Sequence, residues 1–118
     1  MFEKDMRIAD LIDIYGVLLP QRRRDIIEAY YYEDFSLSEI SDNTGISRQG
    51  VRDSIKKSET ELREFEEKLH LLEKSNRFQT DKDEITARLL KISTTLPSPH
   101  ASEIIKISDL LKELNILG

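Results

Sequence analysis

Ser36-Leu37-Ser38-Glu39-Ile40-Ser41-Asp42-Asn43-Thr44-Gly45-Ile46-Ser47-Arg48-Gln49-Gly50-Val51-Arg52-Asp53-Ser54-Ile55-Lys56-Lys57 is the stretch that decides the fold. Ser36 stands before an apolar position with Glu39 three residues on, the spacing of a capping box that opens a helix. That helix is short, because Asn43-Thr44-Gly45 carries turn chemistry and Gly45 suits the left-handed conformation that ends a helix. Ser47 then supplies a second N-cap. A short helix, a tight turn and a second capped helix form the arrangement of a helix-turn-helix. Ile40 and Val51 are placed to meet across the angle between the helices. Ser41 is small enough to let them approach, and Ile46 plugs the underside of the turn.

Projected at ~100° per residue, the second helix puts Val51, Ile55 and Leu62 on one side. Gln49, Arg52, Asp53, Lys56 and Lys57 fan across the other, with Ser47 and Arg48 at the N-terminal tip. Arg and Gln carry forked donors that match guanine and adenine edges in the major groove, and Lys suits phosphates. From Ser47 to Lys57 four basic residues stand against one acidic, within a chain whose 18 basic and 23 acidic residues give a net charge of −5. DNA is therefore the expected partner, with Arg48, Gln49 and Arg52 at the bases, Ser47 at the entering tip, and Lys56 and Lys57 on the backbone. A solvated helix face is the plainer alternative, and Asp53 would repel a nearby phosphate.

Upstream, apolar residues from Met6 to Leu19 recur at helical intervals and predict a first amphipathic helix. Pro20 fits the first turn of a second, running from Gln21 to about Tyr32 and packing Ile26, Ile27, Ala29 and Tyr30. It opens with Arg22-Arg23-Arg24, which cannot all pack inward; they are expected either on a solvated face or on the DNA backbone.

Downstream, a helical pattern runs from Arg48 to roughly Glu73, about 40 Å at ~1.5 Å per residue. Val51, Ile55, Ser58, Leu62, Phe65, Leu69 and Leu72 alternate by fours and threes, the spacing of a coiled-coil seam, with Glu59, Glu61, Glu66, Lys68 and Glu73 at its edges. Such a stripe needs a partner: the C-terminal helices of its own chain, or a second copy. A homodimer through Ile55, Leu62, Phe65, Leu69 and Leu72 is the expectation. After Ser75-Asn76-Arg77 a further helix is expected from a cap near Thr80 or Asp81, then a break at Leu96-Pro97-Ser98-Pro99. A strongly apolar tail helix, Ala101 to Leu117, follows, either as a lid or as a partner-binding helix. The domain division is 1–75 for the helix-turn-helix with its long helix and 76–118 for a C-terminal extension.

The remaining composition excludes more than it selects. With 118 residues, 38% hydrophobic and 7% aromatic, the chain has room for one ordinary domain and reads as all-α. The absence of Cys removes disulfides and thiolate metal sites. No run approaches the ~18 apolar residues of a membrane span, and the start lacks a basic stretch followed by a long apolar run, so a cytoplasmic protein is expected. His70 and His100 are far apart and in no metal spacing, and His70 is expected to pack beside the seam. There is no Gly-rich phosphate loop, and Ser47 and Ser58 have no base nearby. Neither catalysis nor a cofactor or metal is expected.

Leu18-Leu19-Pro20-Gln21, Glu28-Ala29-Tyr30-Tyr31, Asp34 to Ile40, Gly45 to Val51 and Ile55 to Glu59, continued by Leu62 and Phe65 to Leu69, resemble the YlxM family of helix-turn-helix proteins. The likeness covers roughly residues 5 to 75. It implies a bacterial protein related to region 4 of sigma factors, with a long recognition helix and a regulatory role. It also implies a link to the signal recognition particle pathway, whose GTPase or RNA is the alternative partner to DNA. Gly50 stands where members usually have Ala, and Arg52 where an aromatic is common.

Overall fold

A computed structural model describes residues 4–116. The helices are α1 Met6–Tyr15, α2 Gln21–Tyr31, α3 Leu37–Thr44, α4 Arg48–Leu69, α5 Leu71–Ser93 and α6 Ser98–Glu113. There is no strand among the described residues, so the chain is all-helical as expected. It divides into two compact units, Met1–Leu72 and Glu73–Gly118.

In the first unit, Asp5 caps α1 by accepting the Arg7 N–H at 3.0 Å. The helix stops at Tyr15 instead of reaching Leu19, because Gly16–Leu18 tightens into a 3₁₀ turn that delivers Leu19 to the core. Pro20 sits just outside α2 as its N-cap, one residue earlier than expected. The core gathers Ile8, Leu11, Ile12 and Tyr15 from α1, Ile26, Ile27, Tyr30 and Tyr31 from α2, Ile40 from α3, and Val51, Ile55 and Leu62 from α4. Each fully buried aliphatic side chain contributes ~1.5–3 kcal/mol. The stripe on α4 is therefore covered by the N-terminal helices of its own chain, a partner the sequence pattern does not single out.

The long helix also ends early. His70 lies in the left-handed region at φ 55°, and α5 starts at Leu71. Two side chains hold the break. Glu66 Oε1 accepts the Leu72 N–H at 2.9 Å, and the Tyr15 hydroxyl accepts the Leu71 N–H at 3.0 Å while donating to Glu66 Oε1 at 2.7 Å. Donors at the start of α5 are thus satisfied from α4 and α1.

In the second unit α5 runs unbroken through Ser75-Asn76-Arg77. Thr80 does not cap it; its hydroxyl donates back to the Asn76 carbonyl at 3.0 Å. α6 begins at Ser98, behind Pro97 and with Pro99 in its first turn, rather than at Ala101. It ends at Glu113, and Leu117 lies outside the described residues. Lys82 Nζ donates to the carbonyls of Lys112 and Leu114 at 3.2 and 2.8 Å, which satisfies the end of α6 and fixes the two helices as an antiparallel hairpin.

Candidate nucleic-acid interface

Side-chain hydrogen bonds on both flanks of the turn build the helix-turn-helix. Ser36 Oγ accepts the Glu39 N–H at 3.1 Å and Glu39 Oε1 accepts the Ser36 N–H at 3.2 Å, completing the expected box. Gly45 closes α3 at φ 76°. The Ser41 hydroxyl donates to the Ile46 carbonyl at 2.6 Å, and the Thr44 hydroxyl to the Ile40 carbonyl at 2.7 Å. Ser47 Oγ then accepts the Gly50 N–H at 3.0 Å. Beneath the turn Ile40 and Val51 are buried together and Ile46 packs on them. A Cβ at Gly50 would stand 2.7 Å from Ile46 Cγ2, so the glycine lets that side chain fold over the start of α4.

All the residues expected to meet DNA from α4 are exposed: Ser47, Arg48, Gln49, Arg52, Lys56 and Lys57. Gln49 Nε2 donates to Asp53 Oδ1 at 2.8 Å, which gives the acidic residue of this face a partner one turn away. The three arginines of α2 divide. Arg22 is exposed on the rim of a hollow of about 210 Å³ between α2 and α3, floored by Ile26, Ala29, Phe35 and Ile40. Arg23 donates to Glu61 at 2.8 Å and to Ser58 at 3.2 Å, and Arg24 pairs with Glu28 at 2.8 Å. Arg23 and Arg24 are thus engaged within the chain by the acidic residues beside them.

The residues expected at a dimer interface separate likewise. Ile55 and Leu62 are fully buried inside the first unit and present no surface to a second copy. Leu72 is buried too, and Phe65 is half-buried with its ring 5.8 Å from that of Tyr15. Leu69 alone of the set is exposed. Three of the four acids expected at the solvated edges of a seam are engaged within the first unit, Glu59 accepting from the Tyr31 hydroxyl at 2.5 Å, Glu66 from Tyr15 and Glu61 from Arg23, while Glu73 is exposed. Burial, reinforced by the carboxylate partner, raises the Tyr15 hydroxyl above its ordinary value and the Tyr31 hydroxyl well above it. Sequence reasoning missed these pairs. The available signal was tyrosine in α1 and α2 combined with glutamate on the apolar side of α4.

His70, expected beside the seam, is exposed at the left-handed break. Among the described residues no group of three or more His, Cys, Asp or Glu is disposed to hold a metal, and no helix is long and apolar enough to cross a membrane.

The family model described as "Putative helix-turn-helix protein, YlxM / p13 like" matches residues 2–97. The chain belongs to this family. YlxM/p13-like relatives include a UPF0122 protein of Thermoanaerobacter sp. (strain X514), 40% identical over 107 residues, covering 90% of this chain and 92% of the relative. A UPF0122 protein of Symbiobacterium thermophilum is 52% identical over 63 residues, covering 53% of this chain and 59% of its own length. One of Oceanobacillus iheyensis is 49% identical over 74 residues, 63% of this chain and 70% of the relative. The YlxM/p13-like family is described by its helix-turn-helix and not by an enzymatic activity.

Proposed function

We propose that this chain binds duplex DNA by laying the N-terminal half of α4 in the major groove. The observation that carries the reading is the two-sidedness of that half-helix: Val51 and Ile55 are fully buried while Arg48, Gln49, Arg52, Lys56 and Lys57 stand in solvent. A reading helix needs its back held rigidly so that its front reaches base edges in one register. Arg48, Gln49 and Arg52 address bases, Ser47 sits at the entering tip, and Lys56, Lys57 and Arg22 meet phosphates. Arg23 and Arg24 act as structural ion pairs behind them. With a net charge of −5, non-specific affinity is low and binding depends on the local patch. The link to signal recognition particle components has no contact, charge or cavity in the structure to argue from and forms no part of this reading.

The test is selection of a duplex site followed by titration of Arg52→Ala. Binding to the selected site weakens by ~1–3 kcal/mol for a lost bidentate pair, with affinity for random duplex little changed. Equal losses on both duplexes would reduce the role of Arg52 to phosphate contact. Failure of the parent protein to bind any duplex at low salt would refute the proposal.

A further inference from the structure

The second unit has an inverted distribution of polar and apolar side chains. Its buried residues among those described are Thr86 and Ser108, both polar, and neither hydroxyl has a hydrogen-bond partner. The register set by Lys82 places these two opposite one another at the contact of α5 with α6. Most of its large apolar residues are meanwhile in solvent, from 37% exposed at Leu96 to 67% at Leu110, while Phe78, Leu89, Ile104 and Leu111 are half-buried.

They are not scattered. At ~100° per residue, Ile85, Leu89 and Ile92 lie to one rotational side of Thr86 on α5. Ile107, Leu110 and Leu111 lie to the same rotational side of Ser108 on α6, with Leu114 following as its extended C-cap. Because the two helices are antiparallel, the same rotation turns both rows to the same face of the hairpin. By the same projection the row on α6 also takes in Glu103, and a hollow lined by Ile107, Leu110, Leu111, Glu113 and Leu114 opens beside it. The opposite face mixes Leu90 and Ile105 with Asp83, Asp109 and Lys112.

We propose that this face is occupied by the same face of a second copy, two hairpins closing into a four-helix bundle. A pair of helices with no fully buried apolar side chain is poorly stabilised in water, since most helical stability in proteins comes from burying an apolar stripe. The cover must therefore be present whenever the hairpin is folded, and an identical chain is always available in equal amount. Two antiparallel rows related by a two-fold axis are self-complementary. The size is adequate as well. α6, with its 16 residues, is ~24 Å long, and two helices side by side are ~20 Å across. Each face is then roughly 500 Å² in flat projection, and the pair reaches the ~1,000 Å² of total area that a specific interface needs. This assignment moves self-association from the α4 stripe, which is consumed inside the first unit, to the hairpin.

Sedimentation equilibrium of the full chain, with helix content followed by circular dichroism over the same dilution series, tests it. The expected mass is twice 13.8 kDa at micromolar and higher concentrations, falling on dilution together with part of the helix signal. Ile85→Lys with Leu110→Lys converts the protein to a monomer at every concentration, whereas Asp109→Lys on the opposite face leaves the dimer intact. Tyrosine fluorescence, which reports the first unit alone, keeps its unfolding midpoint in the double variant and separates loss of pairing from general misfolding. A parent chain that stays monomeric at ~100 µM with undiminished helicity overturns the proposal. So does a dimer that survives Ile85→Lys with Leu110→Lys but is broken by Leu69→Lys.

Discussion

Replacing Tyr15 by Phe tests whether polar anchoring, and not only the apolar stripe, sets where α4 stops. Tyr15 is 1% exposed, and its ring packs among α1 and α4 residues that a phenylalanine ring would contact equally well. What the substitution removes is one oxygen with two bonds, the donation to Glu66 Oε1 at 2.7 Å and the acceptance of the Leu71 N–H at 3.0 Å. A hydrogen bond to a charged group contributes ~1.5–3 kcal/mol and a neutral one ~1 kcal/mol, so the expected loss is about 3 kcal/mol. Glu66 keeps the Leu72 N–H, which limits the damage. Urea unfolding followed by tyrosine fluorescence is the assay, because all four tyrosines lie between residues 15 and 32 and the chain has no Trp. With a slope of ~1–3 kcal/mol per molar urea, the midpoint falls by roughly 1–3 M at unchanged slope. Glu66→Gln, which keeps an acceptor oxygen in place, costs less. A Tyr15→Phe protein within ~0.5 kcal/mol of the parent would show that the break at His70 is set by backbone preference and not by these bonds.

Two further outcomes follow from the first unit. Gly45→Ala adds a Cβ with nothing within 4 Å, so its cost is purely that of a left-handed L-residue, ~1–2 kcal/mol; an unchanged thermal midpoint would refute the assigned turn. The raised Tyr15 and Tyr31 hydroxyls make the fold alkali-sensitive. Their folded values lie above the unfolded 10.0, so the stability they carry is complete below pH 10 and is lost as pH rises beyond it. Tyr31→Phe lowers stability near neutrality but flattens the decline above pH 10, and an equally steep decline in the variant would contradict the assignment.

Much of the site was legible because its determinants are local. The capping box at Ser36, the left-handed Gly45 and the Ser47 cap each act within four residues, so their geometry follows from spacing alone. The exposed set on α4 follows from helical periodicity once Val51 and Ile55 are known to be internal. What the sequence concealed is long-range. Ile55 and Leu62 fit a seam between two chains as well as they fit a core, since periodicity reports that a stripe is covered and not what covers it. Periodicity puts Glu66 on the apolar side of α4 and Glu67 off it, but the partner that makes Glu66 a buried acceptor is Tyr15, 51 residues away. The stop at His70 was hidden for the same reason, being held by side chains distant in sequence and not by Gly or Pro.

The distribution of polar anchors along α4 ties these observations to the proposed function. From Ser58 onward the helix is fastened by Arg23 to Ser58 and Glu61, by Tyr31 to Glu59 and by Tyr15 to Glu66. Before Ser58 the helix is held from behind through Val51 and Ile55 and the hydrogen-bonded turn, and its front carries the basic residues. A buried carboxylate without a partner is costly, so each acid–tyrosine pair tolerates little rotation or sliding of α4 against α1 and α2. The C-terminal half therefore fixes the rotational setting of the whole helix and, with it, which of Arg48, Gln49 and Arg52 points outward. On this view Glu59, Glu61 and Glu66, among the acids that make the chain negative overall, do not compete with a phosphate: they are engaged by Tyr31, Arg23 and Tyr15, and Asp53, exposed on the reading half itself, accepts from Gln49.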